Sequence, residues 1–370
     1  MSSDEEKYNQ TMMYSGIYYI SLTSLFCIFP MLADLFNGFC EGRFWFPPKY
    51  FSLNVVSITA INVLIVMKLP MGLYIQGQVA KLGSMATMAF MSTMVANMLP
   101  SLGYMDNKTL VDSVIGFTIP IILVIVDSFM EFNTGVISHV KNLAYTLIAM
   151  LVFLLIILIS AAIAIPSLKQ ILEARYQATS QRVSRNQRPE DRFNVEKLRE
   201  YVKIHLILAE TCDPQFALAS SPLSSTSGLI CLLVLIIYIP VAALVLITDH
   251  ERMSGSRYRW WPTITIQSIG VVVGSIAPIC RYFTATRLET SAVFKVEEYW
   301  TLKLSEWKES RISFLSNGRS RNVIFKLKNH ILSLWIGFQK GIVVMCQIIG
   351  IIPIHIVVLI CVAYCYFMSL

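Results

Sequence analysis

Apolar residues in this chain run in long uninterrupted blocks, and one of these blocks indicates the class of protein. From Asn142 to Leu168 no side chain is charged, and the centre of the block is Leu, Ile, Val and Phe. A helix of this length exceeds the ~20 residues that cross ~30 Å of hydrocarbon. A soluble helix of the same length would need a polar face, and this block has none. The pattern therefore predicts a helix that spans a membrane.

The same criterion applied to the whole chain predicts an all-α polytopic membrane helix bundle. About eight transmembrane helices are expected, together with two helical cytosolic loops. The uncharged windows are Tyr8–Ala33, Tyr50–Met67, Leu82–Met105, Ser113–Val126, Asn142–Leu168, Pro214–Thr248, Trp260–Cys280 and Gly341–Leu370.

These windows divide the chain into five regions. They are residues 1–165 with the first five transmembrane helices, 166–227 as a cytosolic amphipathic helical loop, 228–283 with helices six and seven, 284–340 as a basic, Trp-containing loop that is cytosolic or interfacial, and 341–370 with the last helix.

Composition and charge agree with several spans. The chain is 55% hydrophobic and 14% charged, whereas an ordinary soluble domain is ~25% charged. The acidic amino-terminal segment lacks the features of a cleaved signal peptide, so the first helix is expected to stay attached. The eight cysteines form no CxxC pair and fall mostly in apolar spans, which favours buried apolar side chains. The net charge of +7 is carried by loops, and no nucleic-acid partner is expected.

The distribution of basic residues predicts the orientation. With eight spans, 23 of the 30 Lys and Arg residues lie on one side of the membrane. By the positive-inside rule the large loops are cytosolic, and both termini are outside or lumenal. The predicted location is the plasma membrane or an endomembrane.

The fourth window is short, and this makes its flanking carboxylates candidates for a polar path. Only 14 uncharged residues separate Asp112 from Asp127, which is about 21 Å of helix against ~30 Å of hydrocarbon. Asp127, with Glu131 one turn later, is the better candidate for a carboxylate that faces protein or water. In the alternative, the aspartates lie at the headgroups and the bilayer thins locally.

The loop before the last span carries a candidate lipid-contact surface. Trp300 and Trp307 share a helical face, which is typical of an interfacial helix. The cations Arg319, Arg321, Lys326 and Lys328 follow, and they are expected to contact anionic lipids in addition to the bilayer itself. The alternative is that these cations only set the orientation.

Small and polar residues inside the spans predict helix packing. Gly270 and Gly274 form a GxxxG motif, which indicates internal packing or, less often, a homo-oligomer interface. Arg281 ends this span and is expected to extend to the surface. Buried amides such as Asn97 and Gln267 are expected to make interhelical hydrogen bonds rather than bind a ligand. The methionines of the third window suit core packing or, alternatively, Cu(I) binding.

No enzyme motif is present, because HExxH, GxSxG, GxxxxGK[ST] and GxGxxG are all absent. We therefore expect no catalytic activity, no cofactor and no metal site. Two functions stay open. The first is a transporter or channel for a small solute or ion, with Asp127 on a path through proline-broken helices. The second is a non-catalytic membrane scaffold or signalling partner that acts through its basic cytosolic loops.

Three stretches of the sequence together resemble a known family. They are Met-Val-Ala-Asn-Met-Leu-Pro-Ser-Leu-Gly at 94–103 with the preceding segments at 68–70 and 78–83, Ala-Glu-Thr-Cys-Asp-Pro-Gln-Phe at 209–216, and residues 270–281 joined to 298–310. The chain resembles a plant-specific family of uncharacterised multi-pass transmembrane proteins over most of its length. The resemblance implies a plant source and assigns no activity or site residue.

Overall fold

A computed structural model describes residues 3–74, 78–134, 138–186, 212–249, 261–289 and 326–349 without 343 and 347, and also residues 199, 202 and 205. Within these ranges the regular structure is helical and no strand occurs. The predicted all-α class is therefore confirmed for the described part of the chain.

The structure describes nine α-helices and one 3₁₀ helix in these ranges. They are α1 (Ser3–Glu41), α2 (Val55–Tyr74), α3 (Gln78–Met98), α4 (Asn107–Thr134), α5 (Ser138–Asn186), α6 (Pro214–Ala219), α7 (Pro222–Asp249), α8 (Trp261–Glu289) and α9 (residues 326–342), with a 3₁₀ helix at Leu99–Tyr104 after α3.

Among the described residues, six helices are long and apolar enough to cross a membrane by length and composition. These spans are Ser15–Glu41, Leu82–Tyr104, Asn107–Glu131, Asn142–Gln181, Pro222–Ala243 and Pro262–Ala285. The chain is thus compatible with a helical membrane bundle that crosses several times, and the predicted number of eight is not confirmed. In the second predicted window, the residues whose side chains are described form the apolar stretch Val55–Val66 at the start of α2, and most of the eighth window lies outside the described residues.

Helix α3 forms the centre of the bundle. Every side chain from Ser84 to Leu102 is buried, and α3 packs against α4, α5, α7 and α8. Five of the six methionines of the third window lie in the hydrophobic core, where flexible thioethers fill irregular gaps between helices, and Met105 packs against it. The five in the core are Met85, Met88, Met91, Met94 and Met98.

Helix α4 lies at the rim and packs mainly on α5 and α2. Its inner face, which includes Val114, Phe117 and Ile121, is buried, whereas Ile115 and Ile119 are more than half exposed. An apolar face directed away from the protein is what a helix at a lipid boundary presents. Helix α5 is longer than a bilayer requires, because its 49 residues continue through Pro166 to Asn186.

One end of the bundle is closed by short, tightly packed segments. The 3₁₀ helix contacts α6, and a Cβ at Gly103 would lie 2.9 Å from the Pro214 carbonyl carbon. Glycine is therefore required for this close backbone approach. Asp213 caps α6 by accepting a hydrogen bond from the Gln215 N–H at 2.9 Å, and Lys169 donates to the Met105 carbonyl.

Candidate functional site

The connection between α1 and α2 folds into the closed end of the bundle. We call residues 42–54 the plug loop. Its side chains at Trp45, Phe46, Phe51 and Leu53 are at most 5% exposed. In the buried part of the loop, backbone N–H and C=O groups are shielded from water, so the surrounding protein has to satisfy them.

Asp34 of α1 satisfies the N–H groups of the plug loop. Its Oδ1 accepts hydrogen bonds from the N–H of Lys49 at 2.9 Å and of Tyr50 at 2.8 Å, and Oδ2 accepts one from Phe51 at 2.8 Å. The three backbone donors offset part of the cost of enclosing this carboxylate, because the residue is only 6% exposed. The carboxylate therefore anchors the second half of the loop to α1.

Arg281 of α8 satisfies the carbonyl groups of the same loop. Its Nε donates to the Trp45 carbonyl at 3.0 Å and its Nη2 to the Phe46 carbonyl at 3.0 Å. Its Nη1 donates to the Ala96 carbonyl of α3 at 3.3 Å. The planar guanidinium suits this role, because its donors diverge in fixed directions.

The expectation that Arg281 extends to the surface is wrong, because the residue is only 2% exposed. The three carbonyl groups solvate the guanidinium inside the protein, and the negative charge of Asp34 attracts it. Opposite charges from α1 and α8 thus hold one loop between them.

Phe46 adopts a backbone conformation that fixes the tip of the plug loop. Its φ of 43° lies in the left-handed region, which costs free energy for a residue with a bulky side chain. Its ring occupies the space where Gly38 has no side chain, since a Cβ there would lie 2.2 Å from Phe46 Cδ1. Gly38 is therefore part of the plug-loop site.

Polar side chains continue from this site along the interface of α1, α3 and α8. We call Ser21, Thr87, Asn97, Thr263 and Gln267 the polar seam. Ser21 and Thr263 share a hydrogen bond at 2.6 Å, Thr87 donates to Gln267 Oε1 at 3.2 Å, and Asn97 Nδ2 donates to the Gly274 carbonyl at 2.5 Å. The spacing of Thr263, Gln267, Gly274 and Arg281 places them along one side of α8.

The two glycines of the GxxxG motif lie inside the bundle beside the polar seam. A Cβ at Gly270 would lie 2.5 Å from Phe90 Cε2, and one at Gly274 would lie 2.8 Å from Thr93 Oγ1. Both glycines therefore lie at close helix contacts inside the bundle, as the internal-packing alternative predicts. A homo-oligomer through Gly270 and Gly274 would need a face that α3 already covers, so an oligomer stays a prediction that requires another surface.

Three buried polar atoms near the polar seam have no hydrogen-bond partner among the described residues. They are Ser24 Oγ, Ser84 Oγ and Gln267 Nε2, in side chains that are 0%, 3% and 1% exposed. By helical register, Ser24 follows Ser21 by one turn and Ser84 precedes Thr87 by one turn. Unpaired polar groups inside a protein are costly, so a group of them indicates a place for water or a polar ligand.

The carboxylates predicted from sequence lie on the rim helix α4 rather than on the polar seam. Asp112 is exposed near the start of α4, and Asp127 and Glu131 are half-buried near its end. Their part in a polar path stays a prediction.

The predicted lipid-contact residues are only partly described. Trp300, Trp307, Arg319 and Arg321 lie outside the described residues. Lys326 is exposed and Lys328 is half-buried in the first turn of α9. Their contact with anionic lipids stays a prediction.

Sequence reasoning missed the pairing of Asp34 with Arg281. A signal was present, because Arg281 follows Gly274 by seven residues and so shares its helical side. Asp34 likewise follows the buried residues Cys27 and Met31 at helical spacing. Hydropathy windows removed both charges from the spans, because such windows end at every charge.

Comparisons with protein-family models, curated protein sequences and solved structures found no match. The resemblance to a plant-specific membrane-protein family stays a prediction.

Proposed function

We propose that this multi-pass membrane protein transports or conducts a small polar solute or ion through the interface of α1, α3 and α8. The plug loop would close one end of the path. This proposal moves the predicted path from Asp127 on α4 to the interior of the bundle, and it keeps the predicted class of function.

The observation that carries the proposal is the buried, incompletely paired amide of Gln267. Its Oε1 accepts from Thr87, whereas Nε2 has no partner among the described residues. Polar side chains inside a membrane protein are costly and are found where helices hydrogen-bond or where a solute passes. Hydrogen bonding between helices accounts for a paired amide and leaves an unpaired one unexplained.

The polar seam also supports a class of solute. Its side chains carry hydroxyl and amide groups without charge, and Asp34 and Arg281 at the plug loop carry opposite charges. Neutral donors and acceptors replace the hydration of an uncharged polar molecule better than that of an ion. We therefore expect the path to favour small neutral polar solutes over ions.

Proteoliposomes test the proposal. Vesicles with the full chain, vesicles with Gln267→Leu and protein-free vesicles are exposed to osmotic gradients of glycerol, urea and sorbitol, and swelling is followed by light scattering. Ion flux is measured in parallel with a potential-sensitive dye.

The proposal predicts solute entry with the native chain and loss of that entry with Gln267→Leu. Ser268→Ala is the matched control, because the Ser268 hydroxyl bonds Tyr238 at 2.7 Å and lies outside the polar seam. Native vesicles that swell and conduct no faster than protein-free vesicles contradict transport of these solute classes.

A further inference from the structure

The start of α9 exposes large apolar side chains on one of its sides. From Lys326 to Phe338 no side chain is buried. Five large apolar residues in this segment are 40% to 63% exposed, namely Leu327, Ile331, Leu334, Trp335 and Phe338. If this surface were exposed to water it would favour aggregation, so we expect lipid or another protein to cover it.

The five side chains form one face of the helix. Their spacing of four, seven, eight and eleven residues from Leu327 confines them to an arc of about 100°. Trp335 and Phe338 lie in ring contact, with centroids 6.4 Å apart. On the opposite side lie Lys326, Ser333 and Lys340, together with Ile336, which is half-buried. This arrangement is that of an amphipathic helix, and its three lysines within 18 residues are too many for a span.

The positive charge of this part of the chain favours a negatively charged binding partner for the apolar face. After Glu309 the sequence contains no further Asp or Glu, whereas Arg311, Arg319, Arg321, Lys326, Lys328 and Lys340 follow. A second copy of α9 would bring charges of the same sign together, which disfavours a dimer through this face. An anionic lipid surface is complementary to both the cations and the apolar face.

The position of α9 relative to the spans also supports contact with a lipid surface. Ile342 and Cys346 belong to the hydrophobic core of the bundle. The Cys346 carbonyl accepts a hydrogen bond at 3.1 Å from Thr226, which lies one turn inside the span Pro222–Ala243. The exposed part of α9 therefore leads directly into a segment at the level where a neighbouring span begins.

We propose that α9 is an interfacial helix that binds an anionic lipid surface. Leu327, Ile331, Leu334, Trp335 and Phe338 insert among the lipids, and Lys326, Lys328 and Lys340 contact the headgroups. Trp is enriched at this depth, because its ring is apolar and its N–H is polar. This apolar face is separate from the proposed transport path, so its contact with lipid does not depend on solute transport.

The test uses the full chain in lipid nanodiscs, where both membrane surfaces are open to reagents. Leu334→Cys on the apolar face is compared with Ser333→Cys on the polar face. A charged maleimide that does not enter lipid labels them, and mass spectrometry reads each position separately so that the native cysteines stay in place. In discs of phosphatidylcholine with about one third phosphatidylserine, we expect position 334 to react about tenfold more slowly than position 333.

The lipid charge is tested in a second comparison. In discs of phosphatidylcholine alone the protection of position 334 is expected to fall by about fivefold, which is the change that one lysine in contact with anionic lipid would contribute. The triple variant Lys326→Gln, Lys328→Gln, Lys340→Gln should remove this dependence on lipid charge. If Leu334→Cys fails to fold, Ile331→Cys on the same face replaces it.

Three results would overturn the inference. The first is equal reactivity at positions 333 and 334, which would place the apolar face in water. The second is protection of position 334 that is the same in neutral and anionic discs, which would show that α9 does not require anionic lipid. The third is a disulfide-linked dimer through Leu334→Cys, which would assign the face to a second copy.

Discussion

Helices α3 and α4 are both apolar segments of spanning length, yet they have opposite surroundings. Every side chain of α3 from Ser84 to Leu102 is buried, whereas α4 exposes one apolar face along its length. The buried polar residues of α3, from Ser84 to Asn97, are uncharged, and two of them, Thr87 and Asn97, hydrogen-bond to α8. The ionisable residues of α4 lie near its ends. In this bundle the enclosed helix and the rim helix therefore differ in the kind and place of their polar residues, although both are long enough to span a membrane.

The largest effect should come from breaking the plug-loop site that adjoins α3. Arg281→Met removes the donors to Trp45, Phe46 and Ala96 and leaves the buried Asp34 carboxylate without its opposite charge. We expect the free energy of unfolding to fall by ~3–5 kcal/mol, because the remaining buried charge loses the charge that compensated it. Denaturant titration of the purified protein in detergent measures this loss.

Arg43→Met is the control for that loss. Arg43 bonds Glu41 at 3.4 Å with a side chain that is 48% exposed, so its removal should cost at most ~1 kcal/mol. Equal losses for the two variants would show that Arg281 does not anchor the loop.

A methyl group should have opposite effects on the two helix environments. Gly274→Ala places a Cβ 2.8 Å from Thr93 Oγ1, and overpacking of this kind costs ~1–3 kcal/mol. Gly116→Ala in α4 meets nothing within 4 Å and should stabilise the helix by up to ~1 kcal/mol. Thermal unfolding in detergent measures both variants. A stabilised Gly274→Ala variant would contradict the close contact of α3 with α8.

The hydrogen bond between α3 and α8 should contribute less. Asn97→Leu removes the donor to the Gly274 carbonyl, and interhelical hydrogen bonds in membrane proteins are worth ~0.6–1.7 kcal/mol. Asn62→Leu in α2 is matched in size, and its Oδ1 has no partner among the described residues. Denaturant titration should therefore show a loss for Asn97→Leu alone. A larger loss of unfolding free energy for Asn62→Leu than for Asn97→Leu would contradict a stabilising hydrogen bond between α3 and α8.

The smallest effect is expected at the rim. Asp127→Asn in α4 keeps the shape of the side chain and removes its charge. If the path follows the polar seam, solute entry into proteoliposomes should change by less than about twofold. A large loss of entry would return the path to α4, as the sequence alone predicted.

The contrast between α3 and α4 also separates what sequence predicts from what it does not. The spans are visible because uncharged windows of sufficient length have few aqueous alternatives, and the GxxxG motif of Gly270 and Gly274 marks close packing. Hydropathy does not predict the burial of Arg281 and Asp34, because it places a charged residue at the end of a span. Only the folded plug loop supplies the carbonyl and N–H groups that make burial of these charges possible.

The extent of individual helices is likewise not set by hydropathy. Helix α5 continues beyond Leu168 to Asn186, because charged residues are compatible with a helix that leaves the lipid. The buried position of α3 also follows from its neighbours rather than from its own composition.

The most direct test of the account asks whether water reaches the interior of the bundle along the polar seam. Ser84→Cys on α3 is compared with Ala144→Cys on α5, since both native residues are buried, at 3% and 0% exposure. A small, uncharged, polar thiosulfonate reagent is added to proteoliposomes, and modification is read by mass spectrometry. We predict modification at position 84 while position 144 stays unmodified, because polar interiors hold water and apolar interiors exclude it. Equal protection of the two positions would contradict a polar path through this interface.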